Sequence, residues 1–218
     1  MYTQDYIKRM INQIVAALQM IIGLKAAGQY GQALQAIDQA LEQLLGLKPF
    51  LIKRLSDEAI IDSLGQGESL DKDRLLILAD LFKEEGDIYS ALDRTNESFS
   101  SHLRALNFYI EASFAGDSQE QAEPDEKLED LYHQLSKFHL PPPTLYGLFA
   151  YFENTGRYSK AIRILSILQD DPSLRDEVRV EQHSFYQRLR DKTDAELQEG
   201  GITRSEVEQH LAKSDNSD

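Results

Sequence analysis

Proline and glycine divide this 218-residue chain into segments of helical length. The six prolines all fall between stretches whose apolar residues recur every three or four positions, which is the period of a helix facing a core. No stretch sustains the alternation of apolar and polar residues that a strand needs. The sequence therefore predicts an all-α fold. We expect helices at residues 4–27, 30–45, 49–64, 71–85, 88–115, 125–138, 143–155, 158–169, 173–191 and 204–212.

Three joints between predicted helices share one pattern of residues. They begin at Gly28, Gly86 and Gly156, and each has an aromatic residue or Ile two positions later, Ala five positions later and an aliphatic residue after that Ala. A glycine can end a helix because it accepts the left-handed backbone conformation of a C-terminal cap. A small Ala lets two helices approach closely. Each joint therefore predicts an antiparallel helical hairpin with a short turn.

This pattern resembles the tetratricopeptide repeat, whose turn glycine, following tyrosine and close-packing alanine match the three joints, with Ile88 in one tyrosine position. The resemblance covers residues 15–45, 72–100 and 142–170. The turn glycines lie 58 and 70 residues apart, whereas the repeat has a period of about 34 residues. The resemblance therefore implies tetratricopeptide-like hairpins, forming an α-α superhelix-like fold with extra non-repeat helices between them.

We expect a single helical-repeat-like domain over residues 1–213 and a disordered tail over residues 214–218. The two ends of the chain also resemble a second family. Residues 1–11 and 195–202 are similar to the start and the tail of an uncharacterised bacterial family that has helical-repeat character and no assigned activity. This second resemblance implies a bacterial cytoplasmic protein and adds nothing about mechanism.

Charge and cysteine content restrict the classes of partner. The net charge of −14 repels nucleic-acid phosphates, and no basic patch offsets it. The chain contains no cysteine, which excludes disulfides and thiolate sites and agrees with a reducing compartment. The apolar stretch 10–24 is shorter than the roughly 20 residues that span a bilayer. We therefore expect a cytoplasmic protein that binds neither nucleic acid nor membrane.

No catalytic motif is present in the sequence. It lacks a glycine-rich phosphate loop, a nucleophile elbow and a zinc-protease motif. The best cluster of polar residues is Glu126, Glu129, Asp130 and His133 on one predicted helix. A carboxylate metal site in a helical bundle needs matching acids on facing helices, and the Glu-x-x-x-His spacing occurs once. We therefore expect solvated charges here, no metal, no cofactor and no enzymatic activity.

The tetratricopeptide resemblance implies a ligand surface on the first helix of each hairpin. On the second hairpin the implied binding positions are Asp73, Leu76, Asp80, Lys83 and Glu84. On the third hairpin they are Tyr146, Ala150, Glu153 and Asn154. The set has an excess of acidic residues and one aromatic residue, so it would suit a basic or amphipathic peptide. The matching positions of the first hairpin are too apolar to be left in water; they are Val15, Leu18, Ile22, Lys25 and Ala26.

The leading hypothesis is a non-catalytic protein- or peptide-binding module, an adaptor or scaffold whose partner the sequence does not identify. One alternative is a structural homo-oligomer formed through the apolar N-terminal helix. Another is a small-molecule or peptide sensor, or an enzyme whose site is assembled from distant residues. Two structural questions stay open. Residues 88–115 form either one helix or two helices broken near Ser100, and the helix at 173–191 either fills the binding groove or caps the fold.

Overall fold

The structure is a computed structural model, and it describes the backbone of residues 2–64, 72–115 and 126–215. Within these ranges the regular elements are α-helices and no strand is present, so the predicted all-α class is confirmed. The helices are α1 (Tyr2–Ala26), α2 (Tyr30–Leu45), α3 (Pro49–Ile52), α4 (Asp57–Leu64), α5 (Lys72–Ala91), α6 (Thr95–Phe114), α7 (Glu126–Leu135), α8 (Pro142–Asn154), α9 (Tyr158–Gln169), α10 (Arg175–Arg190), α11 (Asp194–Glu199) and α12 (Arg204–Asp215).

The helices form two compact units. The first unit contains α1 to α7 and ends at His139, and the second begins at Leu140 and contains α8 to α12. In the first unit α5 packs against α1, α2 and α6, while α7 packs against α6. In the second unit α9 packs against both α8 and α10, and α12 packs against α10. The expectation of one domain over residues 1–213 stays a prediction.

The first and third turns lie at the glycines that the sequence pattern identified. Gly28 and Gly156 have φ angles of 72° and 71°, in the left-handed region that favours glycine. In both turns the N–H of the next residue donates to a carbonyl five residues earlier, at 2.9 and 2.8 Å. Ala33 and Ala161 are fully buried where the paired helices meet. These two hairpins therefore follow from local sequence alone.

The second turn is not at Gly86, so that prediction is wrong. Gly86 lies inside α5, and the chain reverses at Asp93, which has a φ of 58°. The N–H of the next residue makes the same closing bond as in the other turns, at 2.9 Å. Asp is among the residues that tolerate this conformation best. Thr95 and Ser98 occupy the positions of the tyrosine and the alanine, so the pattern could not identify this turn.

Gly86 is required by the close approach of α5 and α6. The residue is buried, and a Cβ atom built on it would lie 2.2 Å from Cδ2 of His102 on α6. His102 is itself only 1% exposed, so the ring has little room to move. The glycine therefore marks a packing contact in the middle of a helix pair rather than the end of a helix.

The predicted helix at 49–64 is two helices, α3 and α4. Arg104 of α6 reaches the segment between them and donates to the carbonyls of Ile52 and Leu55, at 3.1 and 3.2 Å. Its Nε also donates to the carboxylate of Asp57 at 2.7 Å. The two bonds to carbonyls supply acceptors at and after the end of α3 with a hydrogen-bond donor from another helix. The chain can therefore bend there without leaving these carbonyls unpaired.

The prediction of a helix at 88–115 is also wrong at its start, because residues 88–91 are the last residues of α5. Helix α6 then runs without a break past Ser100. The short helix α11 was not predicted. Helix α12 continues to Asp215, so the first two residues of the expected tail are helical, and residues 216–218 lie outside the described residues.

A cluster of charged side chains surrounds the C-terminal half of α5 in the first unit. Glu85 is 3% exposed, accepts a 2.8 Å hydrogen bond from Ser101 and pairs with Lys53 at 3.0 Å. Asp87 pairs with Lys25 at 2.8 Å. Carboxylates this far from water are tolerated when they are paired and hydrogen-bonded. The charged cluster thus contributes to the packing of α5 against its neighbours.

Aromatic rings occupy the centre of the second unit. Phe185 of α10 packs against Phe149 of α8 and Tyr158 of α9, with ring centroids 5.4 and 6.5 Å apart. The next residue, Tyr186, stacks on His210 of α12 at a centroid distance of 4.3 Å. Helix α10 therefore packs its apolar face against the α8–α9 hairpin.

Candidate functional site

A cleft in the second unit brings together residues from four helices and one connecting segment. Its volume is about 510 Å³, within the range of roughly 300–1,000 Å³ that is typical of ligand sites. The residues that line it are Ala150, Glu153, Asn154, Tyr158, Arg188, Leu189, Lys192 and Glu196. All of them belong to the second unit, so the cleft is formed by that unit alone.

Tyr158 forms part of the cleft wall and is held by the turn that precedes it. The left-handed Gly156 reverses the chain so that Tyr158 is the first residue of α9, where it is 3% exposed. Burial raises the pKa of the Tyr158 phenol, and the nearby Lys192 opposes that shift. The phenol is therefore a neutral hydroxyl at neutral pH.

The turn after α11 packs directly against the start of α9. Ser159 N donates to the carbonyl oxygen of Gly200 at 2.9 Å. A Cβ atom built on Gly200 would lie 2.2 Å from Cδ2 of Tyr158 and 2.6 Å from the carbonyl oxygen of Gly156. A backbone atom cannot easily move away, so a glycine is required here. This contact fixes α11 beside the cleft.

Replacing Gly200 with alanine is expected to lower the free energy of unfolding of the second unit by about 2 kcal/mol, because the added methyl group overlaps atoms that cannot yield. Thermal unfolding followed by circular dichroism measures the change. The matched control is Glu199→Ala at the exposed neighbouring residue, which should change stability by less than about 0.5 kcal/mol. Equal stability of the two variants would contradict the close contact.

Arg188 joins the two sides of the cleft. Its Nε and Nη2 donate to the two carboxylate oxygens of Glu153 at 2.6 and 2.8 Å, so α10 and α8 are linked by a bidentate pair. Nη2 also donates to Glu181 at 2.8 Å. The hydrogen bond to Glu153 is the main cause that raises the pKa of Arg188 further above its usual range. The Glu153 carboxylate is thereby occupied within the fold.

The other two charged residues lie at the end of the cleft near α11. Lys192 Nζ is 3.6 Å from the Glu196 carboxylate, and its side chain is 45% exposed. Glu196 caps α11, since its carboxylate accepts a 2.7 Å hydrogen bond from Thr193 N and the Thr193 hydroxyl accepts one from Glu196 N. The bond from Thr193 N and, secondarily, one from the Thr193 hydroxyl lower the pKa of the Glu196 carboxyl. Of these two charged side chains, Lys192 is therefore the more available to a ligand.

The charges that line the cleft balance. Two carboxylates, Glu153 and Glu196, face two cations, Arg188 and Lys192. The predicted positions of the second and third hairpins, taken together, have an excess of acidic residues. The cations come from the end of α10 and the segment after it, and helical spacing on α8 could not reveal them. The cleft therefore does not select for a purely basic ligand.

The predicted positions of the third hairpin fall at or near this cleft. Ala150, Glu153 and Asn154 line it. Tyr146, one turn earlier on α8, is half-buried outside the lining. Burial and, secondarily, the Glu177 carboxylate raise the pKa of the Tyr146 phenol. Whether these residues bind a ligand stays a prediction.

The predicted positions of the second hairpin lie on α5 in the first unit. Asp73 is exposed and Leu76 is half-buried. The other three make contacts inside that unit: Asp80 with Tyr109 and Lys127, Lys83 with Asp87, and Glu84 with Lys25. A ligand at these positions would have to compete with those pairs. We therefore place the candidate site in the second unit.

Sequence reasoning did not assign five of the lining residues to a site: Tyr158, Arg188, Leu189, Lys192 and Glu196. One signal was available, since Thr193 and Glu196 have the spacing of a capping box and so predict a helix start. Among the described side chains, no group of three His, Asp or Glu residues could hold a metal ion. Within the same ranges, no helix is both long enough and apolar enough to cross a membrane.

Comparison with known proteins identifies a family. The model of a family described as a family of unknown function (DUF6483) matches residues 1–217. No curated protein and no solved structure matches the chain.

Proposed function

The chain belongs to this family of unknown function, and we propose that it is a non-catalytic binding module that holds a short segment of a protein or peptide in the cleft of its second unit. The observation that carries the proposal is the cleft itself. It has a volume of about 510 Å³, and its lining combines three apolar or aromatic residues with five polar or charged ones, so it offers a ligand both apolar contact and groups that fix its orientation.

The lining suits a peptide backbone with a small apolar side chain. Ala150 and Leu189 supply apolar surface, and the exposed Asn154 amide can both donate to and accept from a peptide group. Lys192 and Glu196 can pair with charges on either end of such a segment. An amphipathic peptide of mixed charge therefore fits this cleft better than a strongly basic one.

The shape of the hairpins supports a tetratricopeptide-like binding mode. Three turns, at Gly28, Asp93 and Gly156, share one backbone geometry and one pattern of closing hydrogen bonds. In repeats of this kind the first helix of each hairpin lines the ligand surface. Helix α8 is the first helix of its hairpin and carries Ala150 and Asn154 on the cleft. The absence of cysteine suits a cytoplasmic setting, which we include in the proposal.

A test of the proposal selects peptides from a random display library with the wild-type protein and then measures their affinity by fluorescence anisotropy. The cleft variant is Ala150→Arg, because a long charged side chain would fill the space beside Asn154. We expect selected peptides to bind this variant at least about tenfold more weakly, which corresponds to roughly 1.4 kcal/mol.

The matched control is Ile167→Arg on α9, where an apolar residue that is 42% exposed lies outside the cleft lining. This control should bind the peptides as the wild type does. Circular dichroism confirms that each variant folds, and Asn154→Arg provides a second cleft variant at an exposed position. Peptides that bind all four proteins equally, or a library that yields no binder, would reject the cleft as the binding site.

A further inference from the structure

Over residues 12–26, one face of α1 carries no charged side chain and is exposed on the first unit. The opposite face, with Ile14 and Ile21 fully buried, packs against α2 and α5. On the exposed face Val15, Met20 and Ile22 retain 44%, 53% and 42% of their accessible surface. We name this surface the α1 face and define it by Asn12, Val15, Ala16, Gln19, Met20, Ile22, Gly23 and Ala26. Clustered exposure of large apolar side chains indicates an interaction surface.

No contact with the described part of the chain explains the presence of Gly23. It lies in the interior of α1, it does not have the positive φ of a turn, and a Cβ atom built on it would meet nothing within 4 Å. Glycine in a helix interior costs about 1 kcal/mol relative to alanine. Neither a close contact nor a positive φ angle accounts for a glycine at this position. A missing side chain on an exposed helix is useful when another backbone approaches from outside.

We propose that the α1 face packs against the same face of a second copy, with the two helices antiparallel about a twofold axis near Gln19 and Met20. Residues 16, 19, 20 and 23 surround a depression on the helix surface, because they have the i, i+3, i+4, i+7 spacing. Ala16 and Gly23 leave the two ends of that depression shallow and open. With this axis, Ala16 of one copy lies opposite Gly23 of the other.

Met20 is the side chain that fills the depression on the opposite copy. It is more exposed than Val15 and Ile22, and its unbranched chain adapts to an irregular space. Both the projecting Met20 and the depression that receives it belong to one face. A surface that contains its own complement is what a twofold interface requires.

The distribution of charge is compatible with a second copy only along an uncharged surface such as the α1 face. The chain has a net charge of −14, so two copies repel each other over most of their surfaces. Residues 10–24 contain no charged residue, so contact along the α1 face brings no like charges together. The face also lacks the charged residues that usually select a different partner.

The length of the α1 face limits the strength of such a dimer. The face spans about 21 Å along the helix axis at 1.5 Å per residue. That length is short for a standard interface of roughly 800 Å² per partner, so we expect a weak, concentration-dependent dimer.

Sedimentation equilibrium over a range of concentrations tests the proposal. The wild type, with a mass of 24.8 kDa, should shift towards twice that mass as concentration rises. Met20→Lys should reduce the association constant at least about tenfold, because it places two like charges at the axis. The matched control is Phe50→Lys, at a residue of α3 that is 61% exposed and outside the α1 face; it should associate as the wild type does.

Two glycine-to-alanine variants test whether the dimer depends on close packing of the two helices at Gly23 or only on the apolar character of the surface. Gly23→Ala and Gly31→Ala both add a methyl group in open space within the chain. We expect Gly23→Ala alone to weaken association, because only that methyl group enters the interface. Equal association of the two variants would reject the proposed register.

Because the chain has no cysteine, single cysteines report the register directly. Gln19→Cys should form a disulfide-linked dimer under mild oxidation, since the two positions meet at the axis within bonding range. Gln39→Cys, exposed on α2, should not. A wild type that stays monomeric at all concentrations overturns the proposal and leaves a different protein as the occupant of the α1 face. A dimer that Met20→Lys does not weaken places the interface elsewhere.

Discussion

Replacing Gly86 with alanine is expected to lower the free energy of unfolding of the first unit by about 2 kcal/mol. The substitution raises helix propensity by up to about 1 kcal/mol, so a simple helix argument predicts the opposite sign. The contact decides the outcome, because the new Cβ would lie 2.2 Å from one ring carbon of His102 and 2.5 Å from its Nε2. Urea unfolding followed by circular dichroism measures the change.

Gly31→Ala is the matched control for this prediction. Gly31 is also helical, and a Cβ atom built on it meets nothing within 4 Å, so the substitution should leave stability unchanged or slightly raised. A double-mutant cycle with His102→Ala identifies the cause. If the ring is the obstacle, Gly86→Ala should cost at least about 1 kcal/mol less once the ring is removed. A Gly86→Ala variant as stable as Gly31→Ala would contradict the packing of α5 against α6.

Replacing Asp87 with alanine is expected to cost about 3 kcal/mol of stability, because it removes the carboxylate shared by the buried His102 ring and two partly exposed lysines. Asp87 accepts hydrogen bonds from Lys25 at 2.8 Å and Lys83 at 3.0 Å. Its other oxygen accepts a 3.0 Å bond from Nε2 of His102, whose side chain is 2% exposed. The substitution therefore removes the carboxylate that accepts hydrogen bonds from side chains on α1, α5 and α6.

The stability that Asp87 contributes should depend on pH in a defined direction. Burial alone would raise the pKa of the Asp87 carboxyl, but hydrogen bonds from His102, Lys25 and Lys83 outweigh burial and hold that pKa below its usual value of 3.8. A lowered pKa in the folded state means that the contribution is complete above pH 3.8 and is lost as pH falls further towards the folded-state pKa. The difference between wild type and Asp87→Ala should therefore be largest near neutral pH.

Urea unfolding at about pH 7 and about pH 3 measures this difference. Asp62→Ala on α4 is the matched control, since Asp62 is exposed, and it should change stability by less than about 0.5 kcal/mol at either pH. A constant difference between wild type and Asp87→Ala across this range would show that the ionised carboxylate is not what stabilises the charged cluster.

The sequence by itself determined the features that depend on neighbouring residues. Helical periodicity identified the all-α class, and a glycine followed by a tyrosine and an alanine placed the turns at Gly28 and Gly156. Those signals are local, because a helix cap is formed by residues within one turn of one another. The resemblance to the tetratricopeptide repeat implied Ala150, Glu153 and Asn154 as ligand positions on α8, and the structure brings these three residues to one cleft.

Only the tertiary structure decided why Gly86 is a glycine and what completes the cleft. Gly86 fits the sequence pattern of a turn, yet its small size is required by His102 on another helix, and the turn itself uses Asp93. Arg188 and Lys192 balance the cleft from positions more than 30 residues after Glu153 in the chain. Contacts between helices depend on how whole faces pack together, and helical period within one segment carries no information about the helix that will lie opposite.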